Sequence, residues 1–173
     1  MAIDLYDTSV ANFLQVLEST GKILEKGESF AADNGLALAD IVEARLREDM
    51  APFRFQVVSV WHHSLGALKG VREGLFQPPP DLGDLDYAAL KGLVDEALEA
   101  LSKESRDDIN ALQGLEMLFK AGGFEVPFKA ENFLLSFSLP NFYFHATTTY
   151  AILRMAGVPL GKMDYLGNMR MGG

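Results

Sequence analysis

Apolar residues recur at three- and four-residue steps through most of this chain, which is the period of amphipathic helices. After Asp7-Thr8, a candidate N-cap, the residues Val10, Phe13, Leu14, Leu17, Gly21 and Leu24 share one face. The pattern predicts a first long helix from about Thr8 to about Ala32, closed at Asn34-Gly35, where glycine can take the left-handed cap. A short helix over Ala39 to Arg47 turns Ile41, Val42 and Leu46 inward. Pro52, a residue tolerated in a first helical turn, opens a second long helix running to about Phe76, with Val58, Trp61, Leu65, Leu68 and Leu75 as its stripe. Gln77-Pro78-Pro79-Pro80-Asp81 is a stiff extended connection.

A third long helix follows, capped by Asp84 or Asp86, with Leu90, Leu93, Val94, Ala97, Leu98 and Leu101 inward. Between Arg106 and Lys129 the period drops to two. Met117 and Phe119, then Ala121-Gly122-Gly123, then Phe124, Val126 and Phe128 read as a hairpin, and Pro127 confines its second strand to an edge. The last long helix spans about Glu131 to Ala156, with a kink expected at Pro140 and a stop at Gly157 and Pro159. The tail, Lys162 to Gly173, is expected to pack partly on the bundle. The prediction is a mainly all-α single domain over residues 1–173: an up-down four-helix bundle with a short extra helix and a small β-hairpin before the last helix.

Composition narrows the chemistry. A hydrophobic fraction of 49% and a charged fraction of 23% suit a soluble protein with one substantial core. A formal net charge of −9 argues against nucleic acid and anionic membrane as partners, since both call for a basic footprint. No run approaches the ~18 consecutive apolar residues of a transmembrane helix, and Met1 to Asp7 carries no signal-peptide pattern, so a cytoplasmic location is expected. With no cysteine, thiolate nucleophiles and thiolate metal sites are excluded.

The chain has three histidines, His62, His63 and His145. Each helical residue advances about 100° around the axis. With Val58 as origin, Leu65 and Trp61 mark the buried face, His62 borders it at about +40°, and His63 at about +140° is expected in solvent. With His145 as origin, Asn141, Thr148, Thr149, Ile152 and Ala156 all fall within about 60°. Ile152 and Ala156 make that the core face, so Asn141, His145, Thr148 and Thr149 place a polar cluster inside the bundle. Two readings follow. One is a satisfied network, with threonine hydroxyls bonded back along the helix. The other is a pocket lined by these groups, with Trp61 beside His62 as a wall. His62 and His145 also offer two nitrogens, and Asn141 an amide oxygen, for a divalent ion such as zinc, nickel or iron.

The stretch Pro140-Asn141-Phe142-Tyr143-Phe144-His145, followed by Tyr150-Ala151-Ile152-Leu153-Arg154-Met155-Ala156-Gly157, resembles the last helix of the DinB/YfiT-like four-helix-bundle superfamily. Phe133-Leu134-Leu135, Gly161 to Gly167, Tyr6 to Val10 and Arg45 to Phe53 extend the resemblance to one branch, carried as a domain of unknown function with a PNFYFHATT motif. The resemblance implies a divalent-metal site of three histidines, one on the second helix and an i, i+4 pair on the last, and in some members a thiol-dependent transferase. It places His145 on the second histidine of that pair, Asn141 where the first is expected, and His62 as the second-helix ligand. It also makes a homodimer through helix faces an expectation. Two functions are therefore carried forward. One is a small-molecule enzyme with His145 as general acid/base, with or without metal. The other is a binding or interaction module that has lost the metal site.

Overall fold

Asp4, not Asp7 or Thr8, starts the first helical run. Its carboxylate accepts from the Asp7 amide at 2.9 Å and caps a single turn, α1 (Leu5–Thr8). The chain breaks at Ser9 and continues as α2 (Val10–Asn34), which ends at Gly35 with φ 66°, the left-handed cap that the Asn-Gly pair predicted. These features come from a computed structural model that describes residues 3–171. The short helix α3 (Leu38–Glu43) buries Ile41 and Val42 and stops before the predicted Arg47.

The second long helix begins after Pro52 as α4 (Phe53–Trp61), passes through a π-turn at His62–Gly66 and resumes as α5 (Ala67–Glu73). Its buried face is Phe53, Gln56, Val57 and Val60, while Val58 and Trp61 are half-buried. A regular helix from those residues would carry Leu65 and Leu68 off the core face. The extra residue of the π-turn rotates everything downstream by about 100° and returns both to it. The helix ends at Glu73, three residues before the predicted Phe76, and is capped by Gly74 with φ 73°. Leu75–Phe76 instead forms a short strand, β1.

The third long helix, α6 (Tyr87–Ser102), is capped by Asp86, which accepts from the Ala89 amide at 2.8 Å. A short α7 (Arg106–Asn110) leads into the predicted hairpin, β2 (Glu116–Ala121) and β3 (Phe124–Lys129), turned by Gly122-Gly123 at φ 54° and 87°. β1 pairs in parallel with β2, giving the order β1-β2-β3, so Pro127 sits on an outer strand. The last long helix is again interrupted: α8 (Ala130–Phe133), a π-turn at Leu134–Ser138, then α9 (Leu139–Met155). The π-turn sits immediately upstream of Pro140, whose missing amide cannot close a regular turn. A final α10 (Lys162–Leu166) lies on α2; residues 172 and 173 of the predicted tail are outside the described range.

α2 packs on α6 and α9, and α4 packs on the same two helices, so the core lies inside a four-helix bundle. Phe13 meets Phe142 edge-on at 5.0 Å, and Phe53 stacks on Tyr87 at 5.7 Å. Among the described residues no helix is long and apolar enough to cross a membrane.

Candidate functional site

The two π-turns face each other. Ser138, the last residue of one, is fully buried and donates its hydroxyl proton to the backbone carbonyl of His63 in the other, at 2.8 Å. The same Ser138 Oγ lies 3.5 Å from His63 Nδ1. Its only proton is already given to the carbonyl, so it can only accept from that ring nitrogen. His63 is half-buried rather than solvated, contrary to the expectation from the angular count. Val58, the origin of that count, is half-buried and lies off the centre of the buried face formed by Phe53, Gln56, Val57 and Val60.

There His63 meets His145. Their rings are nearly parallel, 12° apart, with centroids 5.9 Å apart. His145 Nδ1 lies 2.8 Å from Gln56 Oε1. The Gln56 amide donates through Nε2 to the Ala51 carbonyl at 2.9 Å, which fixes its orientation and leaves Oε1 as the atom facing the ring. An amide oxygen only accepts, so Nδ1 of His145 carries the proton. Burial holds the His145 pKa down at about 4. Burial, with repulsion from His62 and His145, holds that of His63 down at about 3. Both rings are neutral near pH 7. Among the described residues Nε2 of each has no hydrogen-bond partner, yet no buried side-chain nitrogen or oxygen lacks one. Both Nε2 atoms therefore reach solvent. Phe137 lies 5.7 Å from His63, and Phe55 and Phe144 lie 5.8 and 5.2 Å from His145, all edge-on.

His62 is held differently. Its Nε2 donates to the Gln77 carbonyl at 2.7 Å and its ring stacks on Phe76 at 4.4 Å. Burial lowers its pKa, partly offset by that hydrogen bond. It is buried, as its position bordering the core implied, but it anchors the extended connection after β1 instead of facing His145.

The other residues singled out in the sequence are engaged along their own helix. Asn141 Nδ2 donates to the Phe137 carbonyl at 2.7 Å, Thr148 Oγ1 to Phe144 at 2.8 Å, and Thr149 Oγ1 to His145 at 2.9 Å. Thr148 and Thr149 are buried, as predicted, and their hydroxyls are satisfied along the helix. Trp61 is turned to α6, where Nε1 donates to Glu96 Oε2 at 3.2 Å. Among the described residues a surface groove of about 290 Å³ lies beside Phe55, lined by Pro52, Arg54, Val58, Pro79 and Leu82 among others and by no histidine.

These donors do not fit a three-ligand divalent centre. His62 has its Nε2 proton on a carbonyl, Asn141 offers only a neutral amide oxygen, and among the described residues no group of three or more His, Asp, Glu or Cys side chains is placed to hold a metal ion. Gln56 escaped the sequence reading, although a glutamine at helical spacing among Phe53, Val57 and Val60 on a buried face was the signal that pointed to it.

The helical bundle carrying a small sheet is an architecture shared with a solved protein. The chain is similar to a DinB family member from Shewanella denitrificans, with 27% identity, a TM-score of 0.81, and coverage of 98% of this chain and 95% of that one. Residues 5–166 match the family described as Domain of unknown function (DUF1993), and the chain belongs to that family. No curated protein matches it.

Proposed function

We propose that this protein is a metal-independent small-molecule-binding module whose ligand seats against Nε2 of His63 and His145. The observation that carries this reading is the stacked, neutral imidazole pair with both Nε2 atoms left without a protein partner among the described residues and not fully buried. The aromatic edges of Phe55, Phe137 and Phe144 supply an apolar rim around two polar atoms, a common composition for ligand sites. Binding is favoured over acid–base catalysis by proton affinity. With a pKa of about 4, only about one His145 in a thousand is protonated at neutral pH, so it is a weak base and an almost unpopulated acid there. Metal chemistry is disfavoured by the donor set, because the third ligand is missing.

Elemental analysis of untagged protein after incubation with excess zinc, nickel and iron(II) tests the reading. The expected result is no stoichiometric metal, together with fragment-induced NMR shifts centred on His63 and His145. One equivalent of tightly held metal that is lost in His145→Ala would overturn it.

A further inference from the structure

We infer that Gln56 and Ser138 are positioning residues that hold His145 and His63 with the proton on Nδ1, so that the site selects ligands that donate a hydrogen bond. The selectivity half rests on the ligand-binding reading above; the tautomer half stands on geometry alone. For His145 the chain of hydrogen bonds has one polarity. The Ala51 carbonyl accepts from Gln56 Nε2, so Gln56 Oε1 must accept from His145 Nδ1–H. For His63 the carbonyl freed at the π-turn takes the Ser138 proton, so Oγ is left as an acceptor for Nδ1–H. Gln56 is 2% exposed and Ser138 is fully buried, so neither can turn to solvent for another partner. His62 has the opposite tautomer, Nε2–H on the Gln77 carbonyl, which shows that the two Nδ1–H assignments are particular to the stacked pair.

The consequence is a chemical filter. Two adjacent neutral nitrogens present lone pairs to the ligand, and Arg54, the cation in the adjoining groove, is already paired with Glu43 and Asp84. A carboxylate meets lone pairs with lone pairs and adds to a chain already at a net charge of −9. An O–H or N–H donor on a flat apolar body is matched at both ends. Its donor meets Nε2, and its body lies on the exposed edges of Phe55 and Phe144, which are 42% and 57% accessible. Phe55 also walls a groove of about 290 Å³ formed with Pro52, Val58, Pro79 and Leu82, with the charged Arg54 and Asp81 of opposite sign in its lining. The ligand class is a neutral aromatic or heteroaromatic donor, of which phenol is the simplest probe.

The test is long-range proton–nitrogen NMR of the three imidazoles at neutral pH, followed by titration with phenol and with benzoate. Wild type should show Nδ1–H for His63 and His145 and Nε2–H for His62. Gln56→Leu should move His145 towards Nε2–H, and Gln56→Glu, which keeps an acceptor at the same place, should restore Nδ1–H and raise its pKa. Phenol should shift the Nε2 resonances of His63 and His145 in wild type, and Gln56→Leu should weaken that response about tenfold, the effect of losing one good hydrogen bond. Nε2–H on His145 in wild type overturns the positioning role even if no variant folds. Benzoate binding as well as phenol, or neither binding, overturns the selectivity. Benzoate seated on the pair would leave the ligand-binding reading intact, whereas stoichiometric metal on the pair would remove that reading and leave the tautomers to the spectrum.

Discussion

Acidification from about pH 7.5 to about pH 5 should destabilise the protein through its histidines. His63 and His145 have folded pKa values of about 3 and about 4 against an unfolded value of 6.5, so the unfolded chain binds protons that the native one refuses. Their contribution is fully present above pH 6.5 and is lost as pH falls towards the folded values. At about pH 5 each group favours unfolding by roughly 2 kcal/mol, from the ratio of the two proton-binding polynomials. Contact of both rings with solvent reduces this, so the pair together is expected to cost about 2 kcal/mol. The carboxylates with depressed pKa values, Asp4, Asp7, Glu99, Glu131 and Asp164, act below their ordinary range and leave this window to the histidines. None of the ion pairs among the described residues involves a histidine, so no carboxylate compensates. Urea unfolding followed by far-UV circular dichroism at several pH values measures the slope. A double variant, His63→Asn with His145→Asn, should flatten most of it and leave only the His62 part. An equal slope in that variant would refute the reasoning.

Gly27→Ala should destabilise by about 2 kcal/mol or more, because the new methyl would stand 2.5 Å from Tyr87 Oη and 3.1 Å from Leu153 Cδ2. Tyr87 would lose its 2.8 Å hydrogen bond to the Leu24 carbonyl, so thermal melts should fall, and by less in the double variant with Tyr87→Phe. Gly167→Ala should free α10 from α2, since a Cβ there falls 2.9 Å from Ser19 Cβ on a backbone with φ 60°. Hydrogen exchange should then speed up over residues 162–168 with little change in α6; uniform exchange would count against the clamp.

The polar cluster on the last helix was legible in the sequence, and its chemistry was not. Spacing put Thr148 and Thr149 on a buried face, where they are. It also put His62 at the core edge and His63 in water, and only the first of these is so. Helical counting fails at His63 because Val58, its origin, is not where the bundle packs. The hairpin was visible because period-two alternation flanks a Gly-Gly turn. The strand Leu75–Phe76 was not visible, since two residues carry no period and its partner lies forty-three residues on in sequence.

The sequence by itself determined the elements that depend on local chemistry: four long amphipathic helices, their glycine stops, the proline-rich connection and the hairpin turn. Family membership was legible as well, through the Pro140 to His145 stretch and its flanks. Tertiary structure alone decided which histidine faces which. The pairing of His63 with His145 depends on two π-turns meeting across a helix interface and on Gln56 reaching over from the second helix. The side chains that fix the rings come from opposite helices, and ring orientation follows from hydrogen bonds between parts of the chain far apart in sequence. Residue spacing along one helix carries no record of such bonds.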